Sequence, residues 1–403
     1  MGTLTQALAG ATGQKGATGS KEVGPVGPAA SIVDNPAAGA AAVWAPCTRS
    51  PQELHRKLPH YAPSRLLRAP ALAARAGVNR VLLKEETGRF GLPSFKLLGA
   101  SWACYRALSE HIGAEPGPWA DIEELAEELK ALRPFRFAAA TDGNHGRAVA
   151  HMARLLGFSS RIFVPEGTAA ARIDALVSEG AEVEVVNGSY DDAVARSAEE
   201  AGPSCLVISD TSWPGYEQVP RWVIEGYSTM FWEVEDRLGE LGTPLGKDDV
   251  VVVPIGVGAL AAAAVNHFRR GPDGPAVVGV EPLDANCVMA SVQAGKMVVV
   301  PGPHRSIMAG LNCATPSRVA WPLLSSGLES VVAVSDDQAR HAVRELAALG
   351  LAVGETGAAA LAGLDAMCEQ KRGPGPGATV LLLCTEGVTD PVGWRSILGI
   401  EVL

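Results

Sequence analysis

The stretch Pro93-Ser94-Phe95-Lys96-Leu97-Leu98-Gly99 sets one lysine between a phenylalanine and two leucines. It follows the apolar run Val81–Lys84, which has the composition of a buried strand. Apolar neighbours that keep water from an amine lower its pKa and leave the neutral form free to attack an aldehyde. We therefore predict that Lys96 is a Schiff-base lysine, although the same residues taken alone also fit a surface lysine at a helix start.

Short apolar runs alternate with helical patterns along the rest of the chain. The predicted strands are Val81–Lys84, Arg136–Ala140, Ser160–Val164, Glu182–Val186, Cys205–Ser209, Val250–Pro254, Ala276–Glu281, Ser330–Val334 and Thr379–Leu383. Continuous apolar runs of this length are typical of strands buried on both faces, and their alternation with helices predicts parallel sheets. We expect an α/β protein with doubly wound open sheets, and one long helix over Gln218–Leu238.

Two glycine-containing loops each follow a predicted strand and open a predicted helix. The first is Thr141-Asp142-Gly143-Asn144-His145-Gly146. A helix N-terminus offers free N–H groups and the positive end of the helix dipole, so it suits an anion. Asn144 supplies a neutral donor for a phenolate oxygen, and Asp142 either caps the helix or also takes part in acid–base chemistry. We assign no chemistry to His145.

The second loop is Gly256-Val257-Gly258-Ala259-Leu260-Ala261, and the same physics makes it a phosphate site. It also fits the pattern G-x-G-x-x-A, with Glu281 at the end of the next strand, which is a dinucleotide fingerprint. A nicotinamide-dependent oxidoreductase is therefore an alternative. That alternative leaves Lys96 and Asn144 without a function.

Polar residues also follow two further predicted strands. Asp210 comes after Cys205–Ser209, and Thr385 comes after Thr379–Leu383. Open α/β sheets bind their ligands at the carboxyl ends of their strands. The hydroxyl of Thr385 suits a ring nitrogen, although an ordinary strand-end turn explains it equally well.

The composition argues against several classes of protein. The 403 residues carry a formal net charge of -10, which argues against a nucleic-acid partner. No apolar run approaches the ~18 residues that cross a bilayer, so we expect no membrane partner. Seven cysteines without a C-x-x-C pair predict neither a metal site nor a disulfide framework, and they fit the reducing cytoplasm. The Ala-, Gly- and Pro-rich residues 1–43 predict a flexible leader.

Further motifs lie before, between and after the lysine stretch and the two loops, in a definite order. They are Leu82-Leu83-Lys84-Glu85-Glu86, Arg89-Phe90-Gly91-Leu92, Asp210-Thr211-Ser212-Trp213, Gly215-Tyr216-Glu217, Val280-Glu281-Pro282, Ile307-Met308-Ala309-Gly310-Leu311-Asn312-Cys313, Gly354-Glu355-Thr356-Gly357-Ala358 and Thr385-Glu386-Gly387. Together they resemble the fold-type II pyridoxal-phosphate enzymes, the tryptophan-synthase-β and threonine-dehydratase group. Within that group the chain is most similar to the diaminopropionate ammonia-lyases.

The resemblance implies a role for each motif residue around a bound pyridoxal 5'-phosphate. Lys96 would hold the cofactor aldehyde, Asn144 would contact the ring oxygen and Thr385 would face the pyridine nitrogen. The phosphate would lie on the loop formed by Gly256, Val257, Gly258, Ala259 and Leu260. For catalysis, Lys96 would serve the L-substrate, Asp142 would serve the D-substrate, and Asp210 would help to hold the distal amine.

The implied reaction is α,β-elimination of ammonia from 2,3-diaminopropionate, which yields pyruvate and ammonia. A homodimer acting on a small amino acid is also implied. Pro214 and Val388 depart from the family pattern near the presumed substrate side, so another substrate stays open. The alternatives are a serine or threonine dehydratase, a β-replacement synthase, or a ligand-binding protein without catalysis on the same fold.

The order of the motifs also predicts the domain organisation. We expect a leader over residues 1–43, a large cofactor-binding domain from residues 44–99 and 215–403, and a small α/β domain over residues 100–214. The cofactor would lie in the cleft between the two domains. Closure of the small domain over the substrate would exclude water from the reaction.

Overall fold

The computed structural model describes residues 30–39, 47–141 and 143–400. Within these residues, two sheets are built from the following strands: β1 Ser31–Asp34, β2 Leu66–Arg68, β3 Arg80–Glu85, β4 Arg136–Ala140, β5 Ser159–Pro165, β6 Glu182–Val186, β7 Cys205–Val207, β8 Val250–Pro254, β9 Ala276–Pro282, β10 Ser330–Val334 and β11 Thr379–Cys384.

Helices separate most of these strands. The α-helices are α1 Ser50–His55, α2 Pro70–Ala76, α3 Lys96–Ile112, α4 Ile122–Glu128, α5 Asn144–Leu156, α6 Ala170–Ser178, α7 Tyr190–Ala198, α8 Gln218–Gly226, α9 Ser228–Glu240, α10 Ala259–Phe268, α11 Cys287–Ala294, α12 Trp321–Gly327, α13 Asp336–Ala348, α14 Glu355–Glu369 and α15 Pro391–Leu398. Short 3-10 turns cover Leu129–Leu132, Leu283–Ala285 and Ala309–Leu311. Among the described helices, none combines the length and the apolar character that crossing a membrane requires.

The larger sheet has seven strands in the order β1-β10-β9-β8-β11-β3-β2. Its five inner strands are parallel, whereas β1 and β2 pair antiparallel at the two edges. Every residue of β10 and of β11 is buried, as expected for parallel strands covered by helices on both faces. The continuous valine and leucine runs are therefore core strands, and their carboxyl ends lie at one edge of the sheet.

The smaller sheet has four parallel strands in the order β6-β5-β4-β7. Its central strand β4 is the run Arg136–Ala140, whose last four residues are buried. The loop after β4 leads into α5, so this sheet presents its strand ends and a helix N-terminus toward the same cleft as the larger sheet.

Helix α3 lies in the chain segment that connects β3 of the larger sheet to β4 of the smaller sheet. It begins at Lys96 and ends at Gly113, whose left-handed φ of 79° closes the helix. It packs on α8 and on α5. A Cβ at Gly99 would lie 2.5 Å from the Tyr227 ring, so glycine permits the close approach between these helices. The boundary predicted between residues 99 and 100 lies within this helix, and the division into two domains stays a prediction.

Two expectations need correction. Ser31–Asp34, which the prediction placed in the flexible leader, forms β1 and pairs with β10. Its ladder partners are about 300 residues away in sequence, so the local composition carries no sign of them. The helix predicted over Gln218–Leu238 is two helices, α8 and α9, which meet at Tyr227. The remaining leader residues before Ala30 lie outside the described residues.

Candidate active site

A cleft of about 1150 Å³ opens where the carboxyl ends of both sheets meet. Its lining brings together the predicted site residues that the structure describes, namely Lys96, Asn144, Asp210, Gly256, Val257, Gly258, Ala259, Leu260 and Thr385. These residues come from five separate segments of the chain. The cleft is therefore a product of the fold rather than of any single motif.

Lys96 lies at the first position of α3 with its amine in the cleft. Its Nζ is 2.7 Å from Oδ2 of Asp210, and the side chain is 21% exposed. Of the three apolar neighbours expected to surround the amine, Phe95 has its ring 5.6 Å from Nζ, and Leu97 and Leu98 are buried in the core. Besides these neighbours, a carboxylate partners the amine.

The loop before Lys96 is held by backbone hydrogen bonds to the end of β11. The N–H of Phe95 donates to the carbonyl of Thr385 at 3.4 Å, and the N–H of Gly387 donates to the carbonyl of Pro93 at 2.8 Å. The loop that carries the lysine and the strand end that carries Thr385 therefore form one rigid unit. This fixes the spacing between the amine and the hydroxyl.

Asp210 follows β7 and is buried beneath the cleft. Besides Lys96, it receives a hydrogen bond from the Tyr190 hydroxyl at 3.2 Å, and Nδ1 of His145 lies 3.9 Å away. Burial by itself raises the pKa of this carboxyl. The ammonium of Lys96, His145 and the two hydrogen bonds outweigh that effect and hold the pKa of Asp210 below its usual range. Asp210 is therefore an ionised acceptor facing an amine.

His145 contributes to the shape of this site. Its Nε2 lies 2.8 Å from the carbonyl of Ile208, and the residue is buried. It ties the start of α5 to the end of β7.

The loop from Gly256 to Leu260 closes the cleft at the N-terminus of α10. Gly258 occupies the N-cap position with a φ of 95°, where a residue with a side chain is strained. A Cβ there would lie 2.4 Å from Leu324, so the loop has no room to retreat. The first-turn N–H groups of α10 have no partners within the helix and suit a phosphate.

Thr385 and Asn144 face the cleft from opposite sheets. The Thr385 hydroxyl is buried and has no hydrogen-bond partner among the described residues, which is costly unless a bound group supplies one. The Asn144 amide nitrogen donates to Oε2 of Glu386, the residue after Thr385. A ring nitrogen would satisfy the hydroxyl, so these residues fit a pyridine-containing cofactor.

Asp142 lies outside the described residues. Its neighbours are described: Gly143 has a φ of 146°, and its N–H donates to the Thr141 hydroxyl at 2.8 Å. Helix α5 begins at the next residue, Asn144. The roles predicted for Asp142 therefore stay predictions.

Three sequence features turn out to have different surroundings from those expected. Glu281 is fully buried and accepts N–H groups from Val288 and Met289 at the start of α11, so it has no access to the ribose of a dinucleotide. Pro214 is exposed beside a smaller cavity that shares Tyr190 and Val257 with the main cleft. Val388 packs against the hydrophobic core. Neither Pro214 nor Val388 lines the main cleft among the described residues, and their bearing on substrate choice stays a prediction.

Several cleft residues had no predicted role. Tyr190, Arg172, Glu355 and Glu386 all line the cleft. Glu355 and Glu386 belong to motifs that the sequence singled out, and their adjacency to other motif residues was the available signal. Tyr190 is the first residue of α7, which follows β6 of the smaller sheet. No local sequence pattern indicates that it lies in the cleft.

The comparisons with known proteins bear directly on this arrangement. The profile of the pyridoxal-phosphate dependent enzymes matches residues 57–386. The chain belongs to the pyridoxal-phosphate-dependent enzyme family. Its cofactor is pyridoxal phosphate, as predicted, and the fold-type II architecture is confirmed.

Two relatives and one solved structure define its place within the family. Diaminopropionate ammonia-lyase of Escherichia coli strain K12 is 34% identical over 375 residues, covering 86% of this chain and 90% of the relative. The biosynthetic L-threonine dehydratase of Haemophilus influenzae is 28% identical and covers 75% of this chain but 52% of the relative. The crystal structure of the E. coli ammonia-lyase with an aminoacrylate-PLP azomethine reaction intermediate matches with a TM-score of 0.82 at 30% identity, over 92% of this chain and 96% of that chain. The resemblance to the ammonia-lyases is thereby confirmed.

Proposed function

We propose that the protein eliminates ammonia from 2,3-diaminopropionate and releases pyruvate and a second ammonia. The observation that carries the proposal is the pair formed by Lys96 Nζ and Asp210 Oδ2, 2.7 Å apart in the cleft that also contains the helix N-terminus and the Thr385 hydroxyl. The similarity to the ammonia-lyases over most of the chain supports the substrate.

The cofactor would be held by residues from four segments. Lys96 would bind its aldehyde, the Gly256–Leu260 loop would hold its phosphate, Asn144 would contact its ring oxygen and Thr385 would face its ring nitrogen. When bound, pyridoxal phosphate withdraws electrons from the substrate Cα, which makes the Cα proton acidic. A neutral hydroxyl at the ring nitrogen leaves that nitrogen largely unprotonated. The weaker electron sink favours loss of a β-substituent over transamination.

Different side chains of the cleft have different roles in the reaction. The Lys96 Nζ would take the Cα proton of the L-isomer when its amine is free in the cleft. Asp142 takes the proton of the D-isomer from the opposite side. Asp210, once Lys96 has moved, offers an ionised carboxylate to the distal ammonium. The β-amine leaves as ammonia, and the released aminoacrylate reacts with one water to give pyruvate and the second ammonia.

The charges in the cleft favour diaminopropionate over serine or threonine. Asp210 is an ionised carboxylate in the cleft, and a substrate with two amino groups offers it a second cation. A hydroxyl in place of the β-amine offers Asp210 no such cation. A dehydratase or a β-replacement synthase is therefore the second candidate, supported by the more distant similarity to threonine dehydratase.

The test is product formation by purified protein supplied with pyridoxal phosphate. L- and D-2,3-diaminopropionate, L-serine and L-threonine are compared at equal concentrations, with keto acid and ammonia measured together. We expect one pyruvate and two ammonia per diaminopropionate, at a rate well above that for serine. Faster turnover of serine or threonine, with the visible absorption of the bound cofactor intact, would reject the substrate and keep the cofactor.

We further propose the molecular setting of this reaction. The two sheets form a large and a small domain, with the cofactor in the cleft between them and β1 included in the large domain. The enzyme is a homodimer of the cytoplasm, where its seven free thiols stay reduced. Light scattering of the holoenzyme tests the dimer, and a monomeric mass at micromolar concentration would reject it.

A further inference from the structure

Glu386 has a fixed position between the loop before Lys96 and the smaller sheet. It follows Thr385 at the end of β11 and is 2% exposed. Its carbonyl accepts the N–H of Gly354 at 3.1 Å, and its backbone forms a bridge with Ser94. The root of its side chain is therefore rigid, and the carboxylate points across the cleft to Asn144.

The side chain of Asn144 depends on that carboxylate. Among the described residues it makes one hydrogen bond, from Nδ2 to Oε2 of Glu386. An asparagine amide has a donor end and an acceptor end of nearly equal size, so packing alone does not decide which end faces a ligand. A carboxylate only accepts hydrogen bonds, so Glu386 requires the NH2 end of Asn144 to turn toward it.

We propose that Glu386 is a positioning residue that fixes the Asn144 amide so that its second N–H, and not its carbonyl, reaches the ring oxygen of the cofactor. The inference deepens the proposed function and rests on it, because that function gives Asn144 its contact with the ring oxygen. A carbonyl turned toward a phenolate would be repelled, whereas an N–H stabilises it. Thr385 and Glu386, neighbours in sequence, thus serve two positions of one ring, the first directly and the second through Asn144.

The acidity of the lysine–cofactor linkage reports on this arrangement. An N–H on the ring oxygen lowers the basicity of that oxygen, so the neighbouring linkage loses its proton at a lower pH. Loss of the donor raises the pH midpoint of the visible absorption change. Glu386 acting directly by its negative charge would do the opposite, because removal of that charge lowers the midpoint.

The experiment separates these two effects with a pair of variants that both lack the charge. Glu386→Gln keeps an acceptor oxygen for Asn144, whereas Glu386→Leu has a similar size and no acceptor. Both are prepared in the wild-type chain and in the Asn144→Ala chain as holoenzymes. The visible spectrum is titrated with pH, and cofactor occupancy and circular dichroism verify folding. Glu386→Ala replaces the leucine variant if that variant does not fold.

We expect the midpoint of Glu386→Leu to lie above that of Glu386→Gln by about half to one pH unit in the wild-type chain. We expect the two to coincide in the Asn144→Ala chain, because the residue through which Glu386 acts is then missing. Equal midpoints in the wild-type chain, or a difference that persists without Asn144, would overturn the inference while the proposed function stands. A wild-type protein without a visible cofactor band would overturn both.

Discussion

At the scale of single residues, Lys96 distinguishes this site from an ordinary ion pair. Its amine and the Asp210 carboxylate are 2.7 Å apart, and both reach a cleft with room for a cofactor. We expect Lys96→Ala to lower kcat by about 10²–10⁴-fold or more and to abolish the visible band of the bound cofactor. Lys130→Ala, which changes an exposed lysine, is the control. A Lys96→Ala enzyme with the normal band and rate would disprove the assignment.

We predict that Asp142 decides between the isomers. A carboxylate at this position would serve as the base for the D-substrate, whereas Lys96 would serve the L-substrate. We expect Asp142→Ser to lower kcat/KM for D-diaminopropionate by about 10²–10⁴-fold and to spare part of the activity on the L-isomer. Steady-state rates on the two separate isomers check this. Equal losses on both isomers would contradict the idea of two bases.

At the scale of single elements, the N-terminus of α10 depends on one glycine. Gly258 has a φ of 95°, and a Cβ there would lie 2.4 Å from Leu324. We expect Gly258→Ala to lower the free energy of unfolding by about 1–3 kcal/mol and to weaken cofactor binding at least about tenfold, since the loop must move. Urea unfolding and a spectroscopic cofactor titration measure the two effects.

The matched control is Gly239→Ala in α9. A Cβ at Gly239 meets open space, and the helical backbone suits alanine. This variant should be neutral or more stable by up to about 1 kcal/mol. If both alanine variants behave alike, the strain argument for Gly258 fails.

The start of α11 makes stability depend on pH through Glu281. Burial raises the pKa of Glu281 from 4.5 to about 8, although the N–H groups of Val288 and Met289 and the neighbouring Cys287 act in the other direction. Between pH 4.5 and about pH 8, Glu281 holds a proton in the folded chain that it has lost in the unfolded chain. The free energy of unfolding must therefore fall as the pH rises through this window.

Glu281→Gln removes the titration while keeping an acceptor for the helix. We expect the free energy of unfolding of this variant, relative to wild type, to increase by about 1–3 kcal/mol between pH 5 and pH 8. Urea unfolding at several pH values provides the measurement, with Glu369→Gln as an exposed control. Parallel pH curves for Glu281→Gln and wild type would show that the buried carboxyl does not titrate in this window.

At the scale of the whole molecule, a buried ion network joins distant segments. Glu233 of α9 contacts Lys84 of β3 at 2.6 Å and Arg89, which lies between β3 and α3, at 2.7 Å. These side chains are at most 1% exposed. Arg89 also pairs with Glu86 at 2.8 Å. The cations hold the pKa of Glu233 below its usual range, against the effect of burial.

Removal of one member should leave buried charges without partners. We expect Glu233→Ala to lower the free energy of unfolding by about 3–5 kcal/mol, because Lys84 and Arg89 stay buried. Glu240→Ala, which breaks the exposed pair with Arg237, should change it by less than about 1 kcal/mol. Chemical unfolding of the two variants measures both free energies. A decrease in the free energy of unfolding below about 1 kcal/mol for Glu233→Ala would mean that the network does not stabilise the fold.

Much of this molecule was predictable from local patterns. The apolar runs predicted the core strands because residues buried on both faces of a parallel sheet must be apolar. Local composition failed where a partner far along the chain decides the structure, as for Ser31–Asp34, which becomes a strand only through β10. It also gave no sign that Asp210 pairs with Lys96, because the two residues are 114 positions apart in the chain.

The sequence by itself determined the fold class and the cofactor and predicted which lysine binds it, because each of these rests on short motifs whose residues are neighbours in the chain. Only the tertiary structure decided that Asp210 pairs with Lys96, that Glu386 holds Asn144 and that Glu281 is sealed away from any ligand. Those facts depend on which strand ends meet at the cleft. Hydrogen bonds and ion pairs act over a few ångströms in space, regardless of separation along the chain.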